Sequence, residues 1–407
     1  MKNGFTNMPA EMSDRSKLKF GFIFAIALIY TALFVGLQNL QAPTWWDEQT
    51  FWLTTQRYFS DSLFPSLETL KSYPELNTPL PFIIYGALEY LFQGGLFAGR
   101  LLNFCLSIIM VLVIGWPRRP HRWVHVLAVI GLLLFPYYLW LSGRFYTDII
   151  ATFFVFWGFF FYFRNAHLLS GLAFVLGIAS RQYMLAFPLA VGTYELITSC
   201  KKREPLNFRV LMPLLAAATI IGWFVLFGGI APSSSFDSRL VPDVQRSLFA
   251  LEPGGALYFL AFVGLYFVIP EWLLFWRRLP LAQLRQRQLF YGAIALGLLG
   301  LFLLFPPALE ASGNLMKVAD LMPFNILKYS LFYSLALLAC WRFSKLNLAT
   351  WIVIFNSLIM IKAWQWDRYA LPLMVVLWYL KSIEQLDRTP ALSDPIAATD
   401  AAEAASN

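Results

Sequence analysis

The chain has 407 residues, of which 59% are hydrophobic and only 13% are charged, and its mean hydropathy is +0.61. Soluble domains carry about 25% charged residues, so this composition excludes them and predicts a protein that crosses a membrane several times. The formal net charge of +8 is not concentrated on a polar domain, which argues against a nucleic-acid partner.

The first apolar segment, residues 20–38, follows a basic flank and is too long for the core of a signal peptide, so it predicts a retained helix. Most of the later apolar segments are long enough to cross a membrane once. They lie at 97–116, 123–142, 147–163, 168–199, 208–230, 256–276, 289–305, 326–341, 346–364 and 369–383.

The connectors "WPRRPHRW", "FRNAH", "CKKREPLNFR", "WRRLPLAQLRQRQ" and "WRFSK" are basic, which places them in the cytosol by the positive-inside rule. Segment 168–199 must then cross twice, with "SRQY" at its turn, and segment 78–97 is expected to lie at the outer surface. We therefore expect an all-α, polytopic bundle of about twelve transmembrane helices with external interfacial helices and both termini in the cytosol.

This map divides the chain into a cytosolic N-terminus at 1–19, a transmembrane domain at 20–383 with an external loop at 39–97, and a disordered cytosolic tail at 384–407. It predicts a multi-pass integral membrane protein, in the plasma (inner) membrane of a bacterium or the endoplasmic reticulum of a eukaryote. His121, His125 and His167 all fall in cytosolic connectors, so a general base on the outer face would have to be a carboxylate.

The stretch "TWWDEQTFWLTTQRYFSD", residues 44–61, has aromatic residues at helical spacing and predicts an amphipathic helix in the interface. Thr44 and Asp47 fit a capping box, which would give Asp47 a structural role. A cap does not explain the adjacent Glu48, nor Arg57 and Tyr58 further on. A cap and a catalytic carboxylate are both open at this point.

Three arginine sites are expected on the outer face. Arg144 and Asp148 are spaced for an ion pair or for a substrate path at the membrane boundary. Arg181 stands at the turn of a hairpin, where it either snorkels to water or clamps an anion. Arg368 lies at the outer end of the last segment, beside Tyr369, where aromatic residues also fit an interfacial belt. Together these arginines indicate an anionic head group, and a lipid-linked phosphate fits.

Six short stretches, in order over most of the chain, resemble motifs of a known superfamily. They are "DEQTFWLTTQRY", "GRLLNF", "FPYYLWLSGRFYTD", "SRQY", "FGGI" and "DRYALP". They resemble those of the GT-C membrane glycosyltransferases, and are most similar to the dolichyl-phosphate-glucose-dependent alpha-1,2-glucosyltransferase family. The chain departs from that family at Tyr183 and Met184, which replace Thr-Asn, and at "VADLMPFN", which replaces an Asp-Asn-Arg-His run.

The resemblance implies inverting transfer of a hexose, such as glucose, from a polyprenyl phosphate donor to a glycan or lipid-linked acceptor at the external or luminal face. It implies Asp47 as the general base, with Glu48 beside it. The donor phosphate would be bound by Arg181, Gln182, Arg368, Tyr369, Arg144 and Arg100. Other parts of the substrates would be bound by Asp148, Arg57, Tyr58 and Tyr146. No cofactor is expected, and the sequence leaves metal dependence open.

Two other classes remain open from the sequence. A secondary transporter would carry charged residues near the midplane and show repeated halves, which the chain does not. A lipid-linked glycan ligase or polymerase would also be polytopic with outer arginines, but would need a larger external loop.

Overall fold

The computed structural model describes residues 8–45, 47–116, 123–238, 241, 243–247, 249–275 and 288–388. Two of the predicted basic connectors, around 117–122 and 276–287, lie outside the described residues. So do residues 1–7 of the predicted N-terminal segment and 389–407 of the predicted disordered tail.

The described residues form twenty α-helices and no named β-strand. These helices are α1 Met8–Gly36, α2 Asp47–Tyr58, α3 Leu67–Ser72, α4 Leu80–Phe92, α5 Gly95–Gly115, α6 Val124–Leu133, α7 Pro136–Ser142, α8 Thr147–Tyr162, α9 His167–Ser180, α10 Ala186–Lys202, α11 Phe208–Phe227, α12 Ser234–Ser238, α13 Asp243–Arg246, α14 Pro253–Val263, α15 Ile269–Phe275, α16 Gln288–Leu304, α17 Asn314–Ala319, α18 Asn325–Arg342, α19 Leu348–Ile359 and α20 Leu371–Ser382. The prediction of an all-helical chain is confirmed for this part of the protein.

Four helical stretches among the described residues are long and apolar enough to cross a membrane: Lys19–Gly36 of α1, α5, α11, and Pro253–Phe275. The bent pair α6 and α7 adds a fifth if it is one span. The other predicted segments also fall on helices, but these are shorter or less apolar. The helices thus indicate a membrane protein, while the number of twelve crossings stays a prediction.

The surface of several helices carries large apolar side chains. Phe20 on α1, Val225 on α11 and Leu289 on α16 are exposed by 73%, 77% and 93%. A soluble protein rarely presents such side chains together over several helices, whereas lipid tails cover them without cost. These faces therefore fit contact with lipid.

The last helix, α20, is the centre of the bundle. All 12 of its residues are buried, and it packs against α6, α8 and α5. The chain enters it through a 3₁₀ turn, Asp367–Ala370. Residues in that turn are therefore held at the end of the central helix.

The segment before α5 packs on protein more closely than an interfacial helix would. Phe51 of α2 and Phe59, which follows α2, are buried and contact Phe82 of α4, with ring centres 5.7 Å and 6.0 Å from that of Phe82. Gly86 allows this approach, because a Cβ atom there would lie 2.1 Å from the backbone oxygen of Phe59. The aromatic stripe predicted to enter the membrane interface thus forms, in part, the contact between α2 and α4.

Three local features differ from, or refine, the sequence-based map. Residues 8–19, predicted as a separate cytosolic segment, continue helix α1. The predicted turn within 168–199 is present, because α9 ends at Ser180 and a 3₁₀ turn follows Arg181.

Segment 123–142 is two helices rather than one, with a bend of 76°. Pro136 explains this bend, because proline lacks the amide that would continue the helix.

A π-helical turn, Gly264–Val268, joins α14 to α15. The turn contains Tyr266, which makes one polar contact of this stretch, and Glu271 makes a second one shortly after it. The buried carboxylate of Glu271 accepts bonds from Arg342, at 2.6 Å and 2.8 Å, and from Lys381, at 2.7 Å. These contacts tie α15 to α18 and to the central helix.

Candidate functional site

Polar side chains that are far apart in sequence meet at one end of the bundle, where helices begin or end. Asp148 stands in the first turn of α8, and Arg181 has an extended backbone between α9 and the 3₁₀ turn Gln182–Leu185. Arg368 lies in the 3₁₀ turn before α20, and Asp47 is the first residue of α2.

Arg181 and Asp148 form a buried ion pair, with 2% and 0% of their side chains exposed. Nη1 of Arg181 donates to Oδ1 of Asp148 and, at 2.9 Å, to the hydroxyl of Tyr183. Nε of Arg181 and Oδ2 of Asp148 have no hydrogen-bond partner in the described part of the chain. Arg181 therefore does not snorkel to water, and the pair retains one free donor and one free acceptor.

Arg368 is buried between aromatic rings and reaches Asp47. Its Nη2 atom donates to Oδ2 of Asp47 at 2.8 Å, and 3% of Arg368 and 27% of Asp47 are exposed. The guanidinium lies 3.7 Å from the ring centre of Trp366, 5.2 Å from that of Tyr146 and 5.4 Å from that of Tyr369. Nε and Nη1 of Arg368 have no partner among the described residues. Asp47 is thus the carboxylate of this cluster that solvent or a substrate can reach.

In this cluster Arg368 keeps its positive charge and Tyr183 keeps its proton. Burial opposes the charge of Arg368, but Tyr369 and the carboxylates of Asp148 and Asp47 favour it, and the net effect raises its pKa. Burial raises the pKa of Tyr183. Because the Tyr183 oxygen already accepts a bond from Arg181, its own proton is available to a further acceptor.

Glu48 has a structural role that differs from that of its neighbour. Its side chain is fully buried, and Oε1 accepts bonds from Nε of Arg100 and the amide of Phe145, both at 2.7 Å. Oε2 accepts from the amide of Trp45 at 3.1 Å and from Arg144 at 3.4 Å. Both oxygens are therefore occupied by the protein itself. The sequence grouped Glu48 with Asp47 as catalytic, but successive helical residues point about 100° apart, and only Asp47 is accessible.

The side chains of Arg100 and Asn103 in α5 donate hydrogen bonds to backbone carbonyl groups near the cluster. Nη1 of Arg100 donates to the carbonyl groups of Leu40 and Ala42, at 2.8 Å and 2.7 Å. Asn103 donates to the carbonyl of Tyr146 at 2.9 Å. Arg100 was predicted to bind the donor phosphate. Its contacts instead hold the chain on both sides of the cluster, although its Nη2 atom has no partner among the described residues.

The ion pair that the spacing of Arg144 and Asp148 allowed is not formed. Helix α8 begins only at Thr147, so Arg144 precedes it and the i,i+4 geometry of a helix does not apply. Arg144 contacts Glu48, and Asp148 contacts Arg181. Arg144 thus borders the cluster without joining the Arg181 pair.

Two further predicted residues serve as connections. The hydroxyl of Tyr146 donates to the carbonyl of Trp45 at 3.2 Å while its ring faces Arg368. Nε2 of Gln182 donates to the carbonyls of Leu76 and Ile230, at 2.6 Å and 3.3 Å. The amide nitrogen of Gln182, predicted to contact the donor, is therefore used to fix the turn that carries Arg181.

Arg57 and Tyr58 are not part of the cluster. Both are exposed in the last turn of α2, whereas Asp47 is at its start. Ten residues of helix separate Asp47 from Arg57, which corresponds to about 15 Å along the axis. The sequence grouped them because they are close in the chain, but the helix carries them away.

The predicted helix cap also differs. Helix α2 begins at Asp47, so Thr44 lies outside its first turn and Asp47 is not the third helical residue that a capping box with Thr44 requires. Both acids are still in the first turn, where negative charge is favoured by the helix dipole.

Sequence analysis missed an adjoining anchor centred on Asp367. Its Oδ2 atom accepts bonds from the hydroxyl of Tyr266 at 2.7 Å and from the amides of Asn314 and Leu315 at 2.8 Å and 3.2 Å. Gly313, with φ of 118°, lies against this carboxylate, since a Cβ atom there would be 1.5 Å from Oδ1. Burial raises the pKa of Asp367. This anchor fixes the turn that carries Arg368.

Asp367, Tyr183 and Trp366 each lie within two positions of a predicted arginine, Arg181 or Arg368. Proximity in sequence was therefore the signal that could have found them. Nothing local pointed to Tyr266, because its contact with Asp367 depends on the packing of two distant segments.

Among the described residues, no group of three or more His, Cys, Asp or Glu side chains is placed to hold a metal ion. The cation that contacts the accessible carboxylate of Asp47 is Arg368.

No protein-family model, curated protein or solved structure matches the chain.

Proposed function

We propose that the chain is an integral membrane glycosyltransferase of the GT-C type, which transfers a hexose from a polyprenyl phosphate to a glycan or lipid-linked acceptor with inversion. One observation carries the proposal. The buried guanidinium groups of Arg181 and Arg368 have unpartnered donors, and Arg368 contacts Asp47, the accessible carboxylate.

Unpartnered donors in a protein interior call for a ligand or water. Leaving one unsatisfied costs about 1–3 kcal/mol, and Nε of Arg181 with Nε and Nη1 of Arg368 make three. Phosphate oxygens suit these donors, because the guanidinium fork matches their geometry and charge. The aromatic rings around Arg368 exclude water, which strengthens its attraction to an anion.

In this proposal Asp47 is the general base, because it is the accessible carboxylate of the cluster. It takes the proton from the acceptor hydroxyl while the oxygen forms a bond to the anomeric carbon, and the bond from that carbon to the donor phosphate breaks. The phosphate leaves with the bonding electrons. Arg368 then faces both partners, since it contacts Asp47 and offers two further N–H groups to the phosphate.

A lipid-linked donor suits the surroundings of the cluster. The cluster lies at the ends of α8, α9 and α20, and other helices of the bundle expose apolar faces that fit lipid. A polyprenyl chain can remain in the bilayer while its phosphate enters the cluster. A nucleotide sugar has no lipid chain, so a site beside the bilayer would not favour its binding.

The test uses the purified full chain in lipid nanodiscs with polyprenyl monophosphate glucose, then with the mannose donor, and a lipid-linked oligosaccharide acceptor. Release of polyprenyl phosphate and formation of product are measured together. Arg368→Gln and Arg181→Gln should each weaken donor binding by roughly tenfold to a hundredfold, because each removes a charge-assisted contact.

Arg57→Gln is the matched control, since it removes an exposed arginine of α2 that lies away from the cluster. It should bind and turn over the donor like the wild type. Transfer from a nucleotide sugar with no lipid donor present would contradict the proposal, as would equal losses in the control and in Arg368→Gln.

A further inference from the structure

A cavity of about 510 Å³ lies at the other end of α8 from the cluster described above. Its lining includes Tyr162, the last residue of α8, whereas Asp148 is in the first turn of that helix. At about 1.5 Å per residue, the two are about 21 Å apart along the axis. The cavity is therefore separate from the candidate site.

Three arginines from three segments line this cavity: Arg164, Arg209 and Arg388. No acidic residue lines it among the described residues. Arg164 follows α8, Arg209 is in the first turn of α11, and Arg388 follows α20. The fold therefore brings three arginines that are far apart in sequence into one cavity.

The three arginines differ in the contacts that their side chains make with the protein. Nε of Arg209 lies 2.9 Å from Oε1 of Glu195, and its Nη2 donates to the hydroxyl of Tyr162 at 3.2 Å. Arg164 and Arg388 have no carboxylate partner in the part of the chain that the structure describes. Arg164 lies 4.1 Å from the ring centre of Phe160, and Arg388 makes one long bond of 3.4 Å to Gln385. Two of the three positive charges are therefore available to a ligand.

We propose that this cavity binds a phosphate-bearing anion, either the headgroup of an acidic phospholipid or free phosphate. The arginines provide donors that match phosphate oxygens, and the volume is in the range of ordinary ligand sites. Phe163 and Ile383 add apolar surface to the lining, which suits the glycerol and first methylenes of a lipid. The inference is independent of the glycosyltransferase proposal.

A basic connector alone would not make this site. Positive charge at the cytosolic end of a helix is expected from topology, and it needs no cavity. Lys345 is such a residue: it is exposed in the predicted basic connector "WRFSK" and does not line the cavity. It provides the matched control.

The experiment measures the unfolding midpoint of the purified full chain in detergent. Short-chain phosphatidic acid is titrated, with phosphatidylcholine of the same chain length as the neutral lipid and inorganic phosphate at constant ionic strength as the free anion. A ligand that binds only the folded protein raises the midpoint as its concentration rises. We expect phosphatidic acid to do so where phosphatidylcholine does not. A matching effect of inorganic phosphate would identify the free anion as sufficient.

The double variant Arg164→Gln with Arg388→Gln should weaken the apparent affinity by roughly tenfold or more, because it removes two charge-assisted contacts. Lys345→Gln should bind like the wild type. If the double variant does not fold, Arg388→Gln alone serves, since Arg388 lies beyond the last helix. Equal binding of both lipids by the wild type, or unchanged affinity in a folded Arg388→Gln protein, would overturn the proposal.

Discussion

Asp47 and Glu48 are adjacent, yet removing the charge of Asp47 should reduce mainly turnover, whereas removing that of Glu48 should reduce mainly stability. Asp47 is 27% exposed and makes one contact, to Arg368 at 2.8 Å. An asparagine there keeps an acceptor for that bond, and water can reach this partly exposed pair, unlike the fully buried pair of Glu48 and Arg100, so Asp47→Asn should cost only about 1 kcal/mol of unfolding free energy. If Asp47 is the general base, the same change should lower turnover by roughly 10² to 10⁴.

Glu48→Gln should show the reverse order. Glu48 accepts four bonds, two from arginines and two from backbone amides, and a glutamine can supply only one of its two oxygens. Its loss leaves Arg100, which is 2% exposed, without its carboxylate. Breaking a buried pair from one side costs about 3–5 kcal/mol. Turnover of the fraction that remains folded should fall less than in Asp47→Asn.

The assay pairs single-turnover transfer from the polyprenyl phosphate donor with denaturant unfolding of each variant. Thr44→Ala serves as a control, because Thr44 lies outside the first turn of α2, and its stability should stay within about 0.5 kcal/mol of the wild type. The reasoning fails if Asp47→Asn loses stability and turnover together, or if Glu48→Gln is as stable as the wild type. Equal small losses in Asp47→Asn and Thr44→Ala would return Asp47 to a structural role.

Three further predictions concern the surroundings of the cluster. Tyr58→Phe should leave donor affinity unchanged in a binding titration, since Tyr58 is exposed away from the cluster; a tenfold loss would return the end of α2 to the site. Gly313→Ala should lower the unfolding free energy by about 1–3 kcal/mol, because φ of 118° is strained for alanine and its Cβ meets Asp367; a wild-type melting curve would contradict this. The raised pKa of Asp367 means that the folded state holds its proton more tightly than the unfolded state. This contribution to stability is full below the ordinary pKa and is lost as the pH rises through the folded-state pKa, so Asp367→Asn should flatten that decline in a pH series of melting curves.

The sequence predicted the helices well because hydropathy is a local property. Each apolar segment falls on one or more helices, and the break at Arg181 was expected from the polar residues within a long apolar run. The number of crossings could not be derived in the same way. It depends on which of the short helices cross the bilayer. Helices such as α8 and α20 are covered by other parts of the protein, and their length alone does not show whether they cross.

The arginines were also predictable as a group, but their partners were not. Charged residues at the ends of apolar segments tend to share one face, which is why Arg181 and Arg368 were expected together. The pairing of Arg181 with Asp148 and of Glu48 with Arg100 depends on where each helix begins and on how distant helices pack. Spacing along the chain allowed Arg144 as the partner of Asp148, but the structure pairs Arg144 with Glu48 and Asp148 with Arg181.

The wide π turn between α14 and α15 sets how far α15 is rotated about the helix axis relative to α14. Tyr266 lies within that turn and reaches Asp367 at one end of the bundle, while Glu271, five positions later, reaches Arg342 and Lys381. Deleting one residue between them would rotate everything that follows by roughly 100° relative to Tyr266. The stretch could then satisfy one of its two polar contacts, but not both. Insertions and deletions should therefore be far less tolerated in this turn than substitutions, even though none of its side chains contacts Asp47.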